Sequence, residues 1–202
     1  MSRRPRGETR RAIVDTAQRL MQRRGFHAFS YHHVAEILGV RTAAIHYHFP
    51  TKADLGVAVI GRFREDFRWW WRQQLGRDAG AAERLEAYFA LDGHYAQDDR
   101  VCPLGVVGVE RAGLPVPVCR EAAALLEEVA GFLQETLEAG RREGTMTFPG
   151  DATAVARQVL AATQGGLQLA RLAGDDAYRS VLDGLRQTLG MADAEAPTRM
   201  VG

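Results

Sequence analysis

Lysine is almost missing from this chain: Lys52 stands alone among 26 basic residues, the rest being arginine. Cysteine is scarce as well. Cys102 and Cys119 form no Cys-x-x-Cys framework for a metal, and one possible bridge does not make a secreted disulfide scaffold. No run approaches 18 apolar residues, which excludes an ordinary membrane-spanning helix, and the basic start MSRRPRGETRR leads into no apolar segment of the signal-peptide kind. Strand-like alternation never extends beyond a few residues, and repeats and low-complexity tracts are lacking. These absences leave the expectation of a cytoplasmic, all-α protein. With 202 residues the chain is long enough for one sizeable domain, or for a small domain beside a larger one.

The charge is unevenly placed. The net value is +1, yet residues 1–64 carry a net +8 and residues 65–202 a net −7. A basic first third on an acidic remainder suits a head that meets a polyanion and a body that does not. Five of the six histidines lie in the same basic stretch, between His27 and His48.

Apolar residues recur every three to four positions nearly throughout. A first helix is expected from about Glu8 to Arg24, with Ile13, Ala17, Leu20 and Met21 on one stripe and Gly25 as its stop. Ser30 is placed to cap a short helix through Leu38, although the third helical position holds His33 where a capping box has Glu or Gln. Gly39 ends that helix, and a second short one follows from about Thr42 to His48, with Pro50 as its terminator. Thr51-Lys-Ala-Asp54 reads as a capping-box start for a long helix through about Leu75. Further helices are expected at roughly 81–97, 103–112, 118–143, 152–173 and 176–190, with 191–202 as a flexible tail.

Two short helices joined by a glycine turn, with a bracing helix before them, make a helix-turn-helix. The second short helix then enters the major groove with its N-terminal residues toward base edges. Its outward residues Arg41, Thr42, Ala43, His46 and Tyr47 are polar or small, which an ordinary helical hairpin in a bundle does not require. Residues 9–55, TRRAIVDTAQRLMQRRGFHAFSYHHVAEILGVRTAAIHYHFPTKADL, resemble the DNA-binding domain of the TetR family of transcriptional regulators over its whole length and without gaps. The resemblance implies an all-α homodimer with a three-helix DNA-binding domain at 1–50, a helical ligand-binding and dimerisation domain at 51–190, and a palindromic operator released when a small molecule binds.

On this resemblance the DNA-contacting set is Ser30, Arg41, Thr42, Ala43, His46, Tyr47, Thr51 and Lys52. Arg41 has a fork for guanine or a clamp for phosphate, and Thr42 and Ala43 allow close approach to a thymine methyl. Lys52 falls at the family's phosphate-contacting lysine, where ammonium and helix dipole act on one anion. His46 stands where relatives usually carry Tyr. Arg3, Arg4 and Arg6 form either an arm for the minor groove and phosphates or a solvated tail.

The second part is less explicit. Phe67, Trp70 and Phe89 suit a ligand cavity or a plain aromatic core. Cys102-Pro-Leu-Gly resembles the segment that opens the sixth helix in one TetR subgroup, where Cys102 is either a sensor thiol favoured by the helix dipole or a small filler. Glu110, Gln164 and Gln168 are polar positions on apolar faces, ligand-orienting or at the solvent rim. Leu160, Leu167, Leu172, Leu182 and Leu185 are read as a dimer interface, a four-helix bundle from two chains. No metal or cofactor is expected, because the histidines bring no carboxylate or thiolate partners with them. The leading expectation is a dimeric ligand-responsive repressor. The alternative is a DNA-binding adaptor whose acidic part binds a protein. An enzyme is disfavoured, since no nucleophile–base pair, phosphate loop or metal motif occurs.

Overall fold

A computed structural model describes residues 6–77, 79–97 and 100–191, and every one of its regular elements is helical. The helices are α1 (Arg6–Arg24), α2 (Tyr31–Leu38), α3 (Thr42–His48), α4 (Lys52–Leu75), α5 (Ala81–Gln97), α6 (Pro103–Glu110), α7 (Val116–Glu143), α8 (Ala152–Ala173) and α9 (Asp175–Thr188), with a short 3-10 turn at Arg111–Gly113. The expected all-α fold and helix order hold. The expected sixth helix stops at Glu110 because its last residues tighten into that turn. Arg3 and Arg4 of the N-terminal arginine arm and the tail from 192 onward lie outside the described residues, while Arg6 is the first residue of α1.

The chain divides into two compact units. One takes the sequence up to Gln73 together with 97–129; the other takes Gln74–Ala96 and the sequence from Ala130 onward. In the first unit, the α1 stripe of Ile13, Ala17, Leu20 and Met21 is buried, as are Phe26 and Phe29 after it. Val34, Ala35, Ile45 and Phe49 form the core of the α2–α3 pair, while Val40 stays 36% exposed and contributes little to it. Arg64 of α4 pairs with Glu121 and Glu128 of α7 at 2.5 Å each, and Arg68 joins Glu128.

Local chemistry fixes the helix ends. Gly39 has φ 65°, and Val40 N–H reaches back to Ala35 O at 3.0 Å, the six-to-one bond of a Schellman end. Ser30 Oγ accepts from His33 N–H at 3.4 Å, and His33 Nδ1 accepts from Ser30 N–H at 3.2 Å. Histidine therefore completes the reciprocal cap that Glu or Gln usually makes. The capping position draws the acceptor nitrogen of His33 inward. Thr51 and Asp54 form the second reciprocal cap at α4, with bonds of 2.9 and 3.2 Å; the Thr51 hydroxyl, which donates to Asp54 Oδ2 at 2.7 Å, and then the Thr51 N–H hold the Asp54 carboxyl below its ordinary range.

In the second unit, α8 and α9 pack side by side. Asp151 caps α8 through Ala154 N–H at 3.3 Å. Arg186 of α9 makes a two-pronged bridge to Glu86 of α5, both bonds 2.7 Å. Glu143 of α7 accepts from Ala81 N–H at 2.7 Å, which secures the first turn of α5.

Candidate nucleic-acid interface

The two faces of α3 differ sharply. Ile45 is fully buried against α2, whereas Arg41, Thr42, Ala43, His46 and Tyr47 are exposed, Tyr47 at 63%. Arg41 is the N-cap residue of α3, and because a guanidinium has no acceptor its side chain leaves the first-turn N–H groups uncapped. Free backbone donors at the first turn, an arginine fork and small residues thus share one edge.

The pitch of α3 is set by Tyr31, a residue absent from the expected set. Its hydroxyl donates to Phe49 O at 2.8 Å, and its ring meets the His46 ring edge-on at 4.6 Å. Burial, with Asp54 nearby, pushes the Tyr31 hydroxyl up to about 12, so it remains a donor across the usual pH range. Its position one turn before Val34 and Ala35 was legible as an apolar-stripe residue; its bond to the far end of α3 was not. Tyr31→Phe is expected to lower stability by about 1–2 kcal/mol, since Phe49 O is left without its donor. A shift of the denaturant midpoint at unchanged slope checks it; an unmoved midpoint contradicts it.

Four expected contact residues are engaged inside the protein. Lys52 Nζ donates to Phe29 O at 2.5 Å and sits over the rings of Phe26 and Phe29, at 4.7 and 4.5 Å. Burial lowers the affinity of this ammonium for its proton, and Glu110 works in the opposite sense. His46 Nδ1 lies 3.4 Å from Pro50 O. Ser30 and Thr51 spend their hydroxyls on the caps described above.

Glu110, expected as a ligand-orienting residue, does structural work at the end of α6. Its Oε2 accepts from Phe26 N–H at 2.8 Å and from His27 N–H at 3.4 Å, the turn between α1 and α2. At the other end of α6, Gln22 of α1 donates through Nε2 to Val101 O at 3.3 Å, and Val101 N–H returns a bond of 3.2 Å to Gln22 O. The segment leading into α6 is therefore bonded to the C-terminal part of α1, and the end of α6 to the turn that follows α1.

The other ligand candidates are split between the units. In the first, Phe67 is buried and stacks on Trp70 at 5.7 Å, while Trp69 points outward at 60% exposure. Cys102 is 9% exposed at the N-cap of α6 and makes no capping bond. In the second, Phe89 is fully enclosed, Gln164 is half-buried and Gln168 is exposed. Of the interface candidates, Leu160, Leu167 and Leu182 are buried within the unit, Leu185 is half-buried and Leu172 is 87% exposed. The helical period puts Leu160 and Leu167 on the buried face of α8 and Leu182 on that of α9, so outward apolar surface on α8 falls to Leu169 and Leu172. Among the described residues no three His, Cys, Asp or Glu side chains converge as a metal site, and no helix is long and apolar enough to cross a membrane.

Comparison with known proteins follows the same division of head and body. Residues 13–59 match the model of bacterial regulatory proteins of the tetR family, and residues 81–183 match that of the tetracyclin repressor-like C-terminal domain. A TetR-family transcriptional regulator from Agrobacterium tumefaciens aligns with a TM-score of 0.86 at 25% identity, covering 91% of this chain and 98% of that one. A TetR regulator from Legionella pneumophila gives 0.79 at 29% identity, with 94% and 98% covered. A regulator from Saccharomonospora viridis solved in complex with choline gives 0.76 at 23%, covering 91% and 98%, a likeness of fold. No curated protein matches the chain. With both family models in place over most of its length and a helix-turn-helix whose outward face is formed as described, this chain belongs to the TetR family of transcriptional regulators, DNA-binding proteins that typically respond to ligands.

Proposed function

We propose that this protein is a repressor that binds a palindromic operator as a homodimer and is released by a small molecule. Residues 1–50 serve as its DNA-binding domain and 51–190 as its ligand-binding and dimerisation domain. The observation that carries the reading is the exposed edge Arg41-Thr42-Ala43 with Tyr47 on a helix whose other face is locked by Ile45 and by the Tyr31–Phe49 bond. Arg41 reads or clamps through its fork, Tyr47 adds a hydroxyl and an aromatic face, and Lys52 acts by holding the start of α4 on Phe29 O. Leu169 and Leu172 supply outward apolar surface on α8 for the second copy. The bonds that tie α6 and the segment leading into it to the end of α1 and the turn after it are the route by which an effector in the larger domain disturbs the head.

Operator selection from random DNA, followed by footprinting, tests this. Two half-sites one helical turn apart, roughly 34–36 Å, are expected. Arg41→Ala is expected to weaken operator binding by about 1–3 kcal/mol and to relax selection at one base pair of each half-site if Arg41 reads a base. Binding without sequence preference, or protection of one isolated half-site, defeats the reading.

A further inference from the structure

Asp92 lies on α5 one helical turn beyond Tyr88 and three residues beyond Phe89, on the buried stripe of that helix. It is 4% exposed. Its carboxyl accepts one hydrogen bond, from the Tyr178 hydroxyl of α9 at 3.1 Å, and no described cation pairs with it. Burying a carboxylate so poorly compensated is strongly unfavourable, and a core that needed only packing has no use for one. The positive group over this stripe, Arg186, lies 5.7 Å from the Phe89 ring and is committed to Glu86 and Asp183.

The surroundings are aromatic. Tyr88 packs against Phe132 of α7 at 6.0 Å and shares a hydrogen bond of 3.2 Å with Thr163 of α8. The Tyr178 ring is wedged between Gly93 and Gly166, where added Cβ atoms would come within 3.0 and 2.9 Å of it. Four helices thus bring aromatic side chains close to one acid that has no counter-charge, with Tyr178 held to a single position beside it. A carboxylate among aromatic faces is the chemistry that recognises organic cations, whereas an anion is repelled and a neutral molecule leaves the charge unpaired.

We propose that the Asp92 cluster forms the polar end of the effector site and takes an organic cation, an amine or quaternary ammonium with an apolar body, Asp92 supplying the counter-charge and the tyrosine and phenylalanine rings the cation–π faces. This rests on the ligand-responsive reading above only for its consequence at the operator; the binding stands on the cluster itself. Because a bound cation favours ionised Asp92, binding strengthens as pH rises through the range where the buried acid, raised to about 7 by desolvation against the opposing Tyr178 bond, loses its proton. Tyr178 from α9 and Tyr88 on α5 are the other titratable groups at the cluster.

The test is thermal shift and calorimetry on the full chain with tetramethylammonium, benzylamine and benzyltrimethylammonium, and with neopentylbenzene as the uncharged counterpart of the last. Expected are a rise in Tm of several degrees with at least one of the cations and none with neopentylbenzene, tighter binding at pH 8 than at pH 6, and at least a tenfold loss of affinity in Asp92→Asn. Asp92→Asn removes a buried charge and so remains folded, which its own unfolding curve verifies. No shift with any of the three cations, an equal shift with neopentylbenzene, or an Asp92→Asn variant that binds like the parent overturns the proposal. Operator release is measured separately by anisotropy: a cation that binds yet leaves the operator occupied supports the site and refutes its role in release.

Discussion

Gly25→Ala is expected to destabilise the protein by about 2–4 kcal/mol and to weaken operator binding with it. Gly25 has φ 92°, a conformation that costs an L-residue roughly 1–2 kcal/mol. The space is also taken: a Cβ would stand 2.2 Å from Glu110 Oε1. That carboxylate can swing away, but only by releasing Phe26 N–H, a donor on a residue 3% exposed, at about 1–3 kcal/mol. Glu110→Ala alone loses the cap without the strain. The two effects therefore overlap, and the double variant should fall short of the sum of the single ones by about 1 kcal/mol or more in denaturant unfolding. Additive values would show that Glu110 does not hold the turn.

Asp92→Asn is expected to gain stability at high pH, the reverse of the usual outcome of a core substitution. Burial raises the Asp92 carboxyl to about 7 from its ordinary 3.8. An acid with a raised folded-state pKa binds its proton more firmly in the native state, so the native protein carries more protons than the unfolded chain between these values. Stability present below pH 4 is thus lost as pH rises from about 4 to 7, and stays lost above, by on the order of 4 kcal/mol. Asn imitates the protonated carboxyl and keeps an acceptor for the Tyr178 hydroxyl. The difference between variant and parent should be small near pH 4 and should grow in favour of the variant up to pH 8. A parent–variant difference that is flat from pH 4 to pH 8, or a variant less stable at pH 8, would contradict this account.

Much of the head was legible because its signals are local. Gly39 in the left-handed conformation, Thr51 with Asp54 at a helix start, and the stripe Ile13–Ala17–Leu20–Met21 are consequences of spacing over four or fewer residues. The outward edge Arg41-Thr42-Ala43-His46-Tyr47 followed from the same period. The capping role of His33 was not legible because it depends on which ring nitrogen faces Ser30 N–H, a matter of rotamer and tautomer that residue type does not reveal. Lys52 could be placed at the start of α4 from the motif. Its bond to Phe29 O, 23 residues away, could not.

Helix type, order and the two faces of α3 were determined by the sequence alone, since periodicity, caps and glycine turns act within one or two turns of backbone. Only the tertiary structure decided where polar groups of different helices meet: Glu110 on the Phe26 turn 84 residues away, Asp92 on Tyr178 86 away, Leu160 and Leu167 turned inward when their apolar character alone allowed an interface. The physical reason is the same for each. A buried polar or apolar group must find its partner wherever the packing puts one, and the sequence states the need without stating the address.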